Sequence, residues 1–388
     1  QVWQEARAEN DFEKFRPSLE KTVELTCKTA EYYGYEDNIY DALLDIYEPG
    51  MTVSQLDPLF AGLREAIVPL VKAVGESKNQ PDLSFLDIGE FSEEKQREFS
   101  LKVAESIGFD FNAGRMDTST HPFCSGAGPN DVRFTTRYDE EFPFGCLYGV
   151  MHETGHGTYE QGLLQEHEGT PMGKAVSLGV HESQSRMWEN MVGRSHEFWQ
   201  FYIEEFKSCF SHLPSDLDVD TLHRGVNTVK PSLIRVESDE ATYNLHIMVR
   251  YEIEKQLVNG NIAIGDLPEF WNSKMQEYLG VTPPNDTKGV LQDIHWSMGA
   301  IGYFPTYTLG NLYAAQLYAA ALADDPTITE KIAKGQFTVL LDWMRSHIHV
   351  HGSKLLPADL MTQATGKEPS SDAFVDYLQS KFTKIYGL

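Results

Sequence analysis

The sequence predicts a mainly α protein: one large helical domain over residues 1–388, with a small β-sheet beside one helix. Three observations carry this reading. Apolar residues recur at helical spacing along most of the chain. Only residues 109–142 break the pattern, with Gly, Pro, Asn and Asp throughout and a period-two stretch at their end. No repeat, low-complexity tract or linker divides the chain.

The first segment, "WQEARAENDFEKFRPSLEKTVELTCKTAEYY", places Phe12, Phe15, Leu19, Val23 and Leu25 on a helical stripe, with Pro17 marking a kink or a new first turn. A second long helical pattern covers residues 53–74. The next opens at Ser92 with acidic residues behind it and ends at Gly108, as caps require. In "DVRFTTRY", Val132, Phe134, Thr136 and Tyr138 alternate with Arg133, Thr135 and Arg137. The stretch reads as a strand feeding the next helix. Helical patterns return from about residue 174, interrupted by "LPSD", "TPPND", "DDPT" and "KLLPADL".

Composition excludes several partner classes. The 388 residues are 41% hydrophobic and 23% charged, ordinary for a globular protein with a sizeable core. No apolar run approaches the ~20 residues a membrane span needs. A net charge of −26 without a basic cluster argues against nucleic acid. It also means that any anionic group must be met by well-placed arginines. Cys27, Cys124, Cys146 and Cys209 show no framework spacing, so they read as reduced thiols in a cytoplasmic protein. The "NDT" at Asn285 is a glycosylation acceptor only in a secreted chain. The opening "QVWQEARAEN" lacks an initiator Met and is already helical, which leaves room for a preceding segment.

The chemistry is concentrated in "MHETGHGTYEQG", residues 151–162. His152 and His156 lie four apart, on one face of a helix, where both imidazoles can reach one ion. Glu153 is about 100° round the helix, placed to reach a water at an open coordination position without being a ligand. Chance alone produces HExxH patterns, so the rest of the chain must supply a third ligand. Gly162 stands where a HExxHxxGxxH site needs a histidine, which excludes that class. The alternative is a carboxylate from a following helix, and "AVSLGVHESQSRMWENMVG" offers Glu182, 26 residues after His156, at a spacing that fits a second helix packed antiparallel on the first. The alternating His347, His349 and His351 read as a helix end with solvent-facing side chains.

Six pieces occur in order: "HPF" (121–123), "DVRFT" (131–135), "HETGH" (152–156), "HESQ" (181–184), "IRVESD" (234–239) and "GVLQDIHW" (289–296). Together they make the chain resemble the Taq-type metallocarboxypeptidases over nearly its whole length. Ser238 departs from that family's pattern, which has Ala there. Members carry a further helical segment before the point where this sequence begins, one that would roof a long substrate cleft, and the expectation is that this domain lacks it.

The resemblance implies a zincin-like core and a carboxypeptidase of broad specificity acting on peptides with a free C-terminus, with proline at the cut site resisting. It implies His152, His156 and Glu182 as ligands of zinc, or of cobalt in the same geometry, Glu153 as general base, and a homodimer. "DVRFTTRY" would be the edge strand beside the active-site helix, where a peptide adds by main-chain hydrogen bonds. The alternative is a plain structural strand whose start is held by a pairing of Asp131 with Arg133. His295 would contact the oxyanion or substrate, oriented and kept charged by Asp293, with Tyr303 and Tyr307 as competing donors. Arg235 leads as the clamp for the terminal carboxylate, with Arg345 and Arg133 behind it. Glu237 and Asp239 are alternatives that would neutralise Arg235, and Asp239 is also a candidate to fix a ligand imidazole. His121 would line the cleft. Two other readings stand beside this one: an oligopeptidase cutting internally, and a zinc-containing peptide-binding scaffold without turnover.

Overall fold

The computed structural model describes residues 1–388 and contains sixteen α-helices and one three-stranded sheet. The first predicted helix is two helices, Val2–Glu9 and Phe12–Tyr33. The break falls at Asn10 and not at Pro17. Asn10 takes a left-handed conformation at φ 55°, and the Asp11 side chain caps the new helix by accepting from the Lys14 amide. Pro17 lies inside the second helix. The helix Val53–Glu76 starts in a capping box between Thr52 and Gln55. The helix Glu93–Ile107 ends at Gly108 with φ 117°, a value that favours glycine.

The sheet consists of β1 (Gly114–Thr118), β2 (Cys124–Gly128) and β3 (Asp131–Thr136), in the spatial order β1-β3-β2. β1 runs parallel to β3 and β2 antiparallel to it, so the "DVRFT" strand is central. This corrects the expectation of an edge strand there: the open edge on the antiparallel side belongs to β2. The Phe123 carbonyl accepts from the Thr135 amide, and Ser125 lies opposite Arg133. Alternate residues Cys124 and Gly126 therefore turn their backbone groups to the open side.

The helix Pro143–Gly162 carries the HExxH motif and is packed on two sides. Proline at its first turn suits a position where no amide is needed. Phe144, Leu147, Tyr148 and Met151 join the main core, whereas Cys146 and Val150 pack with Phe109, Met116, Val132 and Phe134 in a small separate core under the sheet. Two cores gripping one helix fix its rotation, and therefore the direction in which residues 152, 153 and 156 project. No helix is long and apolar enough to cross a membrane.

Candidate active site

The helix Leu178–Arg186 packs against the motif helix so closely that a Cβ at Gly155 would lie 2.5 Å from the Gln184 carbonyl oxygen. The middle glycine of "HETGH" is thus what brings the two helices together. From behind, the helix Pro305–Asp324 presses Gly310 onto Glu182, where a Cβ would meet the Glu182 side chain at 2.4 Å. Glu182 is held between the two.

The result is a triangle of donor atoms. His152 Nε2 and His156 Nε2 are 3.2 Å apart, and Glu182 Oε2 lies 3.5 Å and 3.4 Å from them. A tetrahedral ion with bonds of about 2.0–2.1 Å would have donors about 3.3 Å apart, so the three atoms match one face of its coordination shell. The proton positions agree. His152 Nδ1 donates to Glu189 Oε2 at 2.9 Å, which leaves the Nε2 lone pair free. His156 Nδ1 faces His181 Nδ1 at 2.5 Å, and His181 Nε2 donates to Glu160 Oε1 at 2.7 Å. With that proton on Nε2, His181 Nδ1 can accept from His156 Nδ1, and the His156 Nε2 is then available to the ion. The residues fit a divalent metal.

The carboxylates are held by arginine. Arg186 Nε donates to Glu182 Oε1 at 2.7 Å and its Nη1 to Glu189 Oε2 at 3.2 Å, while its guanidinium lies over the Tyr243 ring. Burial would raise Glu182 and Glu189, but Arg186 and His152 outweigh it. They hold Glu182 well below the usual carboxylate range and Glu189 at about 2. Without a metal, burial lowers His156 to about 4, whereas burial of His152 is outweighed by the Glu182 charge and the bond to Glu189, which raise it to about 8, so an ion binding there must displace the proton from Nε2. Glu153 is 5% exposed with Oε2 unpartnered, and burial raises it to about 7. Cys124 on β2 lines the same face of the motif helix. Burial, then the charges of Glu153 and Glu160, keep its thiol protonated.

On the far side, His295 Nε2 lies 3.2 Å from the Tyr307 hydroxyl, its ring packed on Phe304 and near Tyr303. Tyr307 lies one turn before Gly310, the residue pressed onto Glu182, and after burial the Glu182 charge helps to raise both tyrosines. His295 is not kept charged by Asp293, contrary to the sequence expectation. Its Nδ1 is 4.0 Å from Asp293 Oδ1 and unpartnered, and burial, with Arg235 and Arg250 nearby, lowers it to about 4. Asp293 instead serves two arginines, accepting from Arg235 at 2.8 Å and 3.0 Å and from Arg250 at 2.8 Å. Arg235 is 6% exposed and also donates to the Tyr243 hydroxyl. Its counter-charge is Asp293, not Glu237 or Asp239.

Asp239 touches no ligand imidazole. It accepts from the amides of Lys230, Ala241 and Thr242 and from the Thr242 hydroxyl, a turn-forming task at the start of the helix Tyr243–Val258. Glu189 takes the role proposed for it. Arg133 projects to solvent and pairs with Asp131 at 2.7 Å and 2.9 Å. Arg345 is on the surface, 3.9 Å from Asp342. His121 is exposed in the turn between β1 and β2, its carbonyl accepting from the Ser119 hydroxyl. His349 is not solvent-facing: it is 1% exposed and its Nε2 bonds Gln184 Oε1 at 3.0 Å, two residues from Glu182.

Four residues escaped the sequence reading: Glu160, His181, Arg186 and Glu189. His181 and Arg186 carry a helical signal, one residue before and four after Glu182. Glu189 carries it too, three residues after Arg186 and seven after Glu182, although it lies in a π-helical stretch, Met187–Gly193.

Two imidazoles on one helix and a carboxylate from the next that could hold a metal ion, with an uncommitted glutamate beside them, are the arrangement of a metallopeptidase. The comparisons narrow this. Residues 1–382 match the family described as Carboxypeptidase Taq (M32) metallopeptidase. Thermostable carboxypeptidase 1 of Thermus thermophilus is 47% identical over 397 residues, covering 99% of this chain and 77% of that protein. Carboxypeptidase 1 of Bacillus subtilis is 44% identical over 387 residues, covering 100% and 77%. The crystal structure of the M32 carboxypeptidase from Deinococcus radiodurans superposes with a TM-score of 0.97 at 41% identity, covering 100% of this chain and 78% of that one. The chain belongs to the Carboxypeptidase Taq (M32) family.

Proposed function

We propose that this chain is a metal-dependent carboxypeptidase that removes residues of broad identity from the free C-terminus of peptides. The observation that carries the reading is the triangle of His152 Nε2, His156 Nε2 and Glu182 Oε2 with the unpartnered Glu153 Oε2 beside it. These three residues would hold a divalent ion. Zinc suits the donor set and cobalt accepts the same one. The ion supplies Lewis acidity, acidifying a water and polarising the scissile carbonyl.

The protein's own residues do the rest. Glu153, buried and raised toward neutrality, takes a proton from the attacking water and delivers it to the leaving amine. His295, Tyr303 and Tyr307 form the opposite wall and supply neutral donors for the oxyanion or the substrate carbonyl. Arg235 is the candidate for the terminal carboxylate, since Asp293 takes Nε and Nη2 and the Tyr243 hydroxyl takes Nη1 through one contact only. An extended peptide would lie along the open edge of β2 beside the motif helix. A single catalytic domain, a homodimer and a cytoplasmic location complete the reading; it draws on the family resemblance and the free cysteines.

The test is one peptide in two forms, free acid and C-terminal amide, incubated with zinc- or cobalt-loaded protein and followed by mass spectrometry. A ladder of successive C-terminal losses from the acid alone is expected. Equal internal cutting of both forms would make the protein an oligopeptidase, and no cutting of either would make it a binding scaffold.

A further inference from the structure

Two carboxylates lie at the two ends of one short segment, and each is fully buried at 0% exposure. The segment begins at Tyr40, in the helix Ile39–Leu44, and ends at Glu48. At its first end the Tyr40 hydroxyl donates to Glu254 Oε2 at 2.8 Å. Glu254 also accepts from Trp296 Nε1 at 2.8 Å and from the Gly302 amide at 3.0 Å. Those two donors are the chain neighbours of His295 and Tyr303, at the two ends of the stretch that joins them. Gly302 is pressed onto the segment itself: a Cβ there would lie 2.6 Å from the Leu43 carbonyl oxygen.

At the other end, Glu48 Oε2 accepts from the Gly179 amide at 3.0 Å and Oε1 from the Tyr313 hydroxyl at 2.9 Å. Gly179 is in the first turn of the helix that presents Glu182, where an anion meets the exposed amides favourably. The adjacent Tyr47 carbonyl accepts from the Leu178 amide at 3.0 Å, while the Tyr47 ring packs edge-on against Tyr303 at 5.1 Å. One nine-residue stretch thus touches both the metal-ligand helix and the wall opposite it.

We infer that Tyr40–Glu48 is a strut that sets the distance between the two halves of the reaction centre, with Glu48 and Glu254 as its positioning residues. Neither touches a donor atom of the triangle or the His295 ring. Glu48 acts through the first turn of the helix bearing Glu182, and Glu254 through the backbone that carries His295 and Tyr303. Burying an unpaired carboxylate is costly, and each of these two is offset mainly by bonds that reach across to the other parts of the site. The inference rests on the carboxypeptidase reading only for its kinetic half.

The experiment compares Glu48→Gln and Glu254→Gln in the full chain, reading zinc affinity by chelator competition and kcat/KM on the free-acid peptide. Glu48→Gln is expected to weaken zinc binding about tenfold, as loss of an outer support does. Glu254→Gln is expected to leave zinc affinity unchanged and lower kcat/KM about tenfold through misplacement of the opposite wall. Tyr313→Phe and Trp296→Phe remove one hydrogen bond from each carboxylate and should reproduce the same split in milder form if a glutamine variant fails to fold. General loosening would move both readouts together in every variant, in step with the melting temperature, and that result overturns the strut. So does no change in either. If the wild type binds zinc but cuts no peptide, the proposed activity fails, while the zinc measurement still decides the role of Glu48.

Discussion

His156 and His181 meet Nδ1 to Nδ1 at 2.5 Å, and Glu160 holds the far side of His181. One imidazole of the candidate metal site is therefore backed by a second imidazole, while the other, His152, is backed directly by the carboxylate of Glu189. Outer partners of this kind fix ring orientation and tautomer. Replacing His181 with Phe removes the acceptor for His156. Zinc affinity measured by chelator competition is expected to fall about 10- to 100-fold, with His181→Asn recovering part of the loss. Unchanged affinity in the Phe variant would show that the contact does not hold the ligand.

Arg186 joins two buried carboxylates, Glu182 and Glu189. Arg186→Met should destabilise the metal-free protein by about 3–5 kcal/mol, because both charges stay buried with less compensation. Urea titration in the presence of a chelator measures this. Arg186→Lys should recover little, since an ammonium lacks the fork that spans both partners.

Gly155→Ala places a methyl group 2.5 Å from the Gln184 carbonyl oxygen, where only backbone lies. The motif helix and the ligand helix must separate. A loss of about 1–3 kcal/mol is expected from overpacking, accompanied by weaker zinc binding as Glu182 moves away from the histidines. Thermal melts with and without zinc would separate the two effects.

Asp293 gives a pH dependence. Burial would raise its carboxyl, but Arg235 and Arg250 outweigh that and hold it well below the ordinary value of 3.8. A depressed folded-state value contributes stability that is fully present above the unfolded value and lost as pH falls through the folded one. The melting temperature should therefore fall steadily below about pH 4. Asp293→Asn should flatten that limb while lowering stability at neutral pH by about 3–5 kcal/mol, since two buried arginines lose their counter-charge. A variant with the wild-type acid slope would contradict the assignment.

Metal removal should lower the melting temperature. An ion bound only by the folded state at 100 times its dissociation constant adds about 2.7 kcal/mol. Dialysis against chelator, then return of zinc or cobalt, checks both the loss and its recovery.

Much of this was legible because local periodicity and spacing are enough to specify it. The helical stripe of Phe12, Phe15, Leu19 and Val23 (Leu25, also expected on it, is exposed), the caps at Ser92 and Gly108, and the fit of Glu182 to two antiparallel helices needed no tertiary information. Strand order did need it: period-two alternation marks "DVRFT" as a strand but says nothing about which strands flank it, and β3 proved central. Asp239 and Asp293 were misassigned for a similar reason. A carboxylate two residues from an imidazole is near it in sequence, yet in the fold Asp293 turns to two arginines that arrive from separate segments. Glu189 shares the helix face of Glu182 at a spacing of seven, but its partner His152 stands on another helix, and His349 was hidden by a turn that folds a polar run back into the interior.

The open edge of β2 has a cost outside the chemistry. A row of unpaired amides can accept a strand from another copy as readily as any peptide, which makes it a nucleus for self-association at high concentration. The register shift between Gly126 and Gly128 breaks that row after two residues, and the glycines offer no side chains for a second molecule to zip against. A short, interrupted, nearly bare strand holds a transient guest without recruiting a permanent neighbour.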